Sequence, residues 1–353
     1  MTYTPPKYPA EIPSGADLPD RIDDLDWLYA ARYNELKKEL VACLTELGTL
    51  PKGGFASVKA RLQMTAFAQE WKKLLASRPD KALMLSVKLW TGATGQDNCS
   101  CFAFDGTYIY AGIYDDPPQV VKIDPTTMTT VAAWAGDVGQ GGCAELIFDG
   151  TYLYAGLAGS PAKVVKIDPT TMTTVATWTG DVGENEGQGL IFDGTYIYLG
   201  TYTEPALVVQ IDPATMTTVA TWTGDAGEDY SSGLTFDGIY IYVGLETDPA
   251  IVVQIDPPAM TTVATWTGGV GQSTSNSLTF DGTYIYAGLG TDPVQIVKID
   301  PATMTTIATW TGDTGQTPIN ALMSDGTYIY VGLGLVTAIV IRKIMRDIDE
   351  TAT

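Results

Sequence analysis

The chain has 353 residues, 45% of them apolar, with 41 Asp and Glu against 20 Lys and Arg, for a formal charge of -21. That length suits one large domain plus something smaller, and the acid excess argues against nucleic acid or anionic membrane as a partner. There is no histidine, which removes Ser-His-Asp and Cys-His nucleophile systems and the commonest transition-metal ligand.

No run of 18 apolar residues occurs, so no membrane insertion is expected, and the start lacks the apolar core of a secretory signal. Residues 1–83 carry 12 Lys/Arg and 11 Asp/Glu, whereas the rest carries 8 and 30. A shift of that size places a domain boundary near 83. The acidity of the second part fits either solubility or a binding role.

Residues 1–20 contain five prolines and little pattern, and read as an extended arm. The segment 21–83 reads as α-helical. A helix starts near Ile22 with Asp23 or Asp24 as its cap and ends at Gly48. Ile22, Tyr29, Tyr33, Leu36, Leu40, Cys43 and Leu47 follow three–four spacing, with Asp26 interrupting the seam. That stripe suits self-association or packing on a neighbouring helix. A second helix is predicted from about Ala56 to Ser77, with Val58, Leu62, Phe67, Trp71 and Leu74 as its apolar positions.

The stretch Leu47-Gly48-Thr49-Leu50-Pro51-Lys52-Gly53-Gly54-Phe55, continuing to Ser57-Val58-Lys59-Ala60-Arg61-Leu62, resembles a segment of tail-fibre and other appendage proteins of tailed bacteriophages. The shared pattern is a helix ending in Leu-Gly, then Pro-x-Gly, then Ser-Val-x-x-Arg-Leu. The resemblance spans Asp20 to Leu62. It implies a virion protein assembled in the host cytoplasm. Its N-terminal region would contact other virion proteins and sister chains, with a trimer favoured and Tyr29, Tyr33, Leu36, Leu40 and Leu47 in the oligomer seam.

Beyond residue 83 the chain repeats. Phe104-Asp105-Gly106-Thr107-Tyr108-Ile109-Tyr110 returns at Phe148, Phe192, Phe236 and Phe280, and as Ser324-Asp325-Gly326-Thr327-Tyr328-Ile329-Tyr330. A tryptophan stands at 90, 134, 178, 222, 266 and 310, and Ile-Asp-Pro recurs from Ile123 to Ile299. Every step is 44 residues. Each unit reads as four short strands. The first ends at Phe-Asp-Gly, a tight hairpin turn in which glycine takes positive φ. The second is Thr-Tyr-Ile-Tyr. The third is Val-Val-Lys-Ile, stopped by Asp-Pro. The fourth is Thr-Thr-Val-Ala-Thr-Trp. Four strands per 44 residues match a propeller blade. The last copy has only three strands, and Met84–Trp90 matches the missing fourth. The expected fold is therefore a mainly β, six-bladed β-propeller over 84–347, closed by that N-terminal strand, with a tail at 348–353. The repeats loosely resemble YVTN and NHL-like propellers, which are mostly binding modules.

Comparing the copies with one another exposes a contrast. The Asp-Gly and Asp-Pro turns barely change, whereas the connections after Trp-Thr-Gly and between second and third strands vary. In an up-and-down blade these two varied connections emerge on one side. That face is the candidate ligand-binding surface, with Tyr114, Asp115, Asp116, Glu184, Asn185, Glu186, Tyr202, Glu204, Asp229, Tyr230, Glu246, Asp248 and Asn276 as candidate residues. The repeated tryptophans and tyrosines are expected to pack between blades. Asp105, Asp149, Asp193 and Asp237 are expected to hold turns. Asp137, Asp181, Asp225 and Asp313 are the residues a calcium ion would use, although no calcium-loop spacing occurs, and no cofactor is expected. Cys99, Cys101 and Cys143 are expected to be buried free thiols. Cys99 and Cys143 stand at equivalent places, where a disulfide or metal is conceivable.

No catalytic residue is assigned. A carboxylate pair that hydrolyses a glycoside does not stand out by position. Neither a phosphate-binding glycine loop nor the Ser-x-Asp-x-Gly-x-Thr-Trp box of sialidase-type propellers is present. The expected function is host-surface attachment to a glycan or protein, with a purely structural decoration protein and a glycan-cleaving hydrolase as the alternatives.

Overall fold

The structure is a computed structural model that describes residues 90–96, 98–312, 319–324, 328–334 and 339–345. The chain divides into two compact units, Met1–Val87 and Lys88–Thr353, and every described residue belongs to the second. The expected arm, helices and oligomer seam, the strand over 84–89 and the tail over 348–353 lie outside the described residues.

The first sheet comprises β1 (Cys99–Phe104), β2 (Ile109–Ile113), β3 (Gln119–Asp124) and β4 (Thr129–Ala135), each antiparallel to the next. Five sheets have this four-stranded order, and a last one has three strands, Ile319–Ser324, Tyr328–Gly334 and Ile339–Met345. First strands of neighbouring copies meet one another, so they are innermost and the fourth strands outermost. Burial follows. The second strand Leu153–Leu157 is buried throughout, because sheets cover both its faces, while Thr173–Thr179 exposes its first three residues and buries Trp178. The result is a mainly β, propeller-like fold of repeated sheets.

Each described Asp-Gly turn is a two-residue hairpin. Asp149 N–H donates to Tyr152 O at 3.1 Å, and Gly150 takes φ 97° at the first central position, a positive value that glycine adopts without strain. Asp149 Oδ1 accepts the Thr151 and Tyr152 N–H groups at 2.7 Å each, and Oδ2 accepts the Tyr154 hydroxyl at 2.8 Å. Thus one carboxylate fixes the turn and satisfies a fully buried phenol. The same contacts recur at Asp105, Asp193, Asp237 and Asp281. At Asp105, burial alone would raise the carboxyl pKa. The hydrogen bonds from Tyr108, Tyr110 and Thr107, with the Lys122 charge, outweigh it and lower the pKa.

The outermost strands are edges, which invite pairing with other chains. Lys166 pairs with Ala176 but Ile167 pairs with Thr174, leaving Val175 as a bulge that bends the edge. The same irregularity recurs in the other four-stranded sheets.

Sheets meet through side chains from both faces. Tyr154, Ala162, Val164 and Trp178 of one copy pack on Leu190, Ile197, Leu199, Val209, Ile211 and Met216 of the next. The Trp178 indole N–H donates to Thr218 Oγ1 at 2.9 Å, and Trp134, Trp222 and Trp266 repeat the bond at 2.8–2.9 Å. The tryptophans are packing residues, as the repeat suggested. Trp90 makes this bond to Thr130 at 2.9 Å and packs on the first sheet with Ala111, Ile113, Val121 and Ile123. It sits where the tryptophan of a preceding blade would sit. Phe102 and Phe104, however, are 63% and 58% exposed, while Leu146, the counterpart of Phe102, is 2% exposed. The described residues therefore do not show a ring sealed along its innermost strands.

Ser231 and Ser275 open their innermost strands, are fully buried, and have hydroxyls without a hydrogen-bond partner. A buried unpaired hydroxyl is destabilising. Ser231→Ala is expected to raise stability by roughly 1 kcal/mol, read as a higher urea midpoint at unchanged m-value.

Candidate functional site

The meander order sends the Asp-Gly and Asp-Pro turns to one end of the sheets and the varied connections to the other. Those connections are stitched together by main chain. Ala162, Ala206 and Ala250 N–H donate to the carbonyls of Glu184, Glu228 and Gln272 at 2.7–2.9 Å. Within each loop one long side chain closes the turn. Gln96 and Gln140 Oε1 accept the N–H of Ala93 and Asp137, and Glu184 and Glu228 Oε2 accept those of Asp181 and Asp225. Glu184, only 9% exposed, therefore acts as a loop staple. Its position tolerates Gln or Glu because only one acceptor oxygen is needed.

Six of the candidate residues form one patch across the third and fourth copies. The rings of Tyr202 and Tyr230 stack with centroids 4.6 Å apart at 29°. Tyr202 donates its hydroxyl to Glu246 Oε2 at 2.9 Å, and Tyr230 donates to Glu204 Oε2 at 3.3 Å. Glu186 and Asp229 add negative charge beside them. The hydrogen bond to Glu246, aided by burial, pushes the Tyr202 phenol up to about 12. The Glu204 charge and its hydrogen bond raise that of Tyr230. Both phenols stay neutral donors at physiological pH. Glu186 and Tyr230 hold φ of 49° and 56°, and their N–H groups donate to Gly159 O and Thr203 O at 2.8 and 2.9 Å. A rigid backbone thus presents two aromatic faces rimmed by carboxylates, a surface suited to stacking and to hydrogen bonding with hydroxyl-rich ligands.

The remaining candidates lie on the same side of the sheets but outside this cluster. Tyr114 is 39% exposed and packs on Gly142, where a Cβ would lie 2.6 Å from its ring. Asp116 Oδ1 accepts Gly139 N–H at 2.7 Å, while the half-buried Asp115 has one oxygen without a partner. Ser160 Oγ donates to Asn185 Oδ1 at 2.7 Å. Asp248 is exposed, and half-buried Asn276 lies against Gly290. Val138, Val182 and Val270 project fully from loop tips on this side, at 80–110% exposure. They went unnoticed in sequence because valine carries no chemistry to flag.

Three further features escaped the sequence reading. A cavity of about 460 Å³ opens among the innermost strands and is lined by Phe104, Phe148, Phe192 and Phe236. These are the phenylalanines of the Asp-Gly turns, so it lies toward the uniform end. Glu145 stands on an innermost strand where other copies have Cys101, Gly189, Gly233 and Ser277. Desolvation of this half-buried side chain pushes its carboxyl up to about 7, against the lowering effect of the Leu146 N–H that it accepts. Comparing copies at that position would have singled it out. Third, Cys101 and Cys143 face each other across neighbouring copies, with sulfurs 3.9 Å apart. Cys101 and Cys143 are buried and free as expected, but Cys99 is exposed. Among the described residues, no group of three or more Cys, Asp or Glu is arranged to hold a metal ion, and no helix is long and apolar enough to cross a membrane.

Among solved structures, this chain is similar to Kuenenia stuttgartiensis hydrazine synthase, with 18% identity and TM-score 0.58 over 71% of this chain and 77% of that one. It is similar to a chain of the mitotic checkpoint complex, with 16% identity and TM-score 0.58 over 75% and 89%. It also resembles the computationally designed Ika8 protein, with 16% identity and TM-score 0.54 over 70% and 71%. No family model matches the sequence, and no curated protein does. At these identities the likeness is one of fold alone, and the class it defines is that of propeller-like repeated-sheet proteins.

Proposed function

We propose that this chain is a structural virion appendage protein of a tailed phage, which displays its sheets as a host-attachment module. The observation that carries the attachment reading is the Tyr202–Tyr230 pair with Glu204 and Glu246, assembled from three different connections on the varied side. Attachment surfaces concentrate rigid aromatic faces and adaptable polar rims, and this patch has both. The ligand class it suits best is a neutral, hydroxyl-rich glycan, since the carboxylates repel anionic polymers and accept hydroxyl donors.

The virion reading draws on the resemblance of Asp20–Leu62 to phage appendage proteins. In this reading the N-terminal region binds other virion chains and makes a homo-oligomer, a trimer by preference, whose several modules turn weak contacts into avid attachment. The sheets close as a six-bladed ring with 84–90 as the fourth strand of the last blade. The hydrogen bond from Trp90 to Thr130 supports this closure.

Tyr230→Ala is expected to weaken retention on envelope fractions of susceptible bacteria at least tenfold, with the thermal midpoint within 2 °C of the parent. That corresponds to roughly 1.4 kcal/mol or more of binding energy. Ala176→Ser, on the outward strand, should leave retention unchanged. Retention that Tyr230→Ala leaves intact removes the patch from attachment. Release of soluble sugars marks a hydrolase instead, and no retention by the parent protein marks a decoration role.

A further inference from the structure

We infer that Cys101 and Cys143 are a built site for an inter-sheet disulfide, which clasps the innermost strands of the first two copies when the chain folds in an oxidising medium. The inference stands apart from the attachment reading. The sulfurs lie 3.9 Å apart, 42 residues apart in sequence, and both residues are buried at 6% and 0% exposure. The sulfurs are already in van der Waals contact, and bond formation closes them from 3.9 Å to about 2.05 Å.

The placement is specific to one interface. At the corresponding positions the other described interfaces pair Glu145 with Gly187, Gly189 with Ser231, Gly233 with Ser275, and Ser277 with Ile319. Gly112 faces both sulfurs, and a side chain there would collide with them. Cys99 is the poorer partner. It is exposed, its Sγ points to the carbonyl of Cys101 at 3.9 Å, and burial of its sulfur with the neighbouring Cys101 pushes its thiol up to about 11. The Cys143 thiol is held well above its usual range by the hydrogen bond with Cys101 and by burial. Reaction of the intact fold at neutral pH is therefore slow, and closure during folding is the faster route.

With a small disulfide such as oxidised glutathione, the Cys101 thiolate attacks one glutathione sulfur and expels a glutathione thiolate. The Cys143 thiolate then attacks the Cys101 sulfur and expels the second. The two cysteine protons end on the two glutathione thiols, and two electrons pass from protein to glutathione.

The test uses the full chain in two arms: native protein held in oxidised glutathione, and reduced unfolded protein refolded in a glutathione redox buffer. Free thiols are then trapped under denaturing conditions, and peptides are mapped by mass. The expected product of the refolding arm lacks two hydrogens, links Cys101 to Cys143, and unfolds roughly 5–10 °C higher than the reduced form. Cys99→Ser should keep the crosslink and Cys101→Ser should abolish both crosslink and thermal gain. If Cys101 and Cys143 stay free in both arms, or if Cys99 is the partner that pairs, the inference is overturned.

Discussion

Trp178→Ala is expected to destabilise the second unit by about 4 kcal/mol, in the range for truncating a buried tryptophan. The indole is 2% exposed and wedged between consecutive sheets against Leu190, Ile197 and Leu199. Each sheet is held by its own antiparallel ladder, so the walls cannot collapse into the vacated volume and the cavity term is retained. Thr218→Val separates packing from hydrogen bonding. It leaves the indole N–H without its acceptor at 2.9 Å but keeps the volume, and should cost roughly 1–2 kcal/mol. Urea unfolding followed by tryptophan-independent circular dichroism measures both. The same experiment at Trp90 bears on the seam. Trp90 is only half-buried, so a loss of roughly 2 kcal/mol is expected if a closing strand holds it. A loss near zero would mean that the strand over 84–89 does not seal the last sheet.

The strands were legible because each local signal agreed with the others. Asp-Gly punctuates every first hairpin, Asp-Pro stops the third strand in five of the six copies, and a fixed tryptophan marks every fourth. Side-chain roles within one copy were legible too: the turn aspartates and interface tryptophans behave as their repetition implied. Contacts between copies were harder to foresee. Tyr202 does meet its repeat equivalent, Glu246, 44 residues on, but Tyr230 reaches Glu204 across 26, a spacing that repeat equivalence does not pair. The cysteines show why. Cys99 and Cys143 are equivalent, so they sit a whole copy apart, each on its own innermost strand. Contact across the interface relates a residue to one 42 positions later, and this brings Cys101, not Cys99, to Cys143. Glu184 shows a second kind of variation: its position alternates between Gln and Glu, and an acceptor oxygen for one N–H is what its loop requires.

Glu145→Gln is expected to stabilise the protein by about 2–3 kcal/mol at pH 8 and to change little at pH 4.5. In the folded chain burial raises this carboxyl from its ordinary 4.5 to about 7, so the folded state holds a proton that the unfolded state has already released. Stability must then fall as pH rises from about 4.5 to 7 and level off above, by 1.36 kcal/mol for each pKa unit. Glutamine has no proton to lose, so the variant should stay level through that window. The turn aspartates act at the other end. Asp124, Asp168 and Asp212 are lowered by backbone hydrogen bonds from Thr126, Thr170 and Ala214. They favour the fold above the ordinary aspartate pKa of about 4, and that contribution is lost as pH falls through their depressed values. The parent protein should therefore be most stable near pH 4–5, unusually acid for a folded chain, while the variant should hold a plateau to pH 8. Mutual repulsion among the many surface carboxylates gives a slope of the same sign as Glu145, but salt distinguishes the two. At 1 M salt the Debye length falls to about 3 Å, which screens surface charge and leaves the burial of Glu145 untouched. A parent slope between pH 5 and 7 that disappears in 1 M salt, or a variant that keeps the slope, would assign the effect to the surface instead.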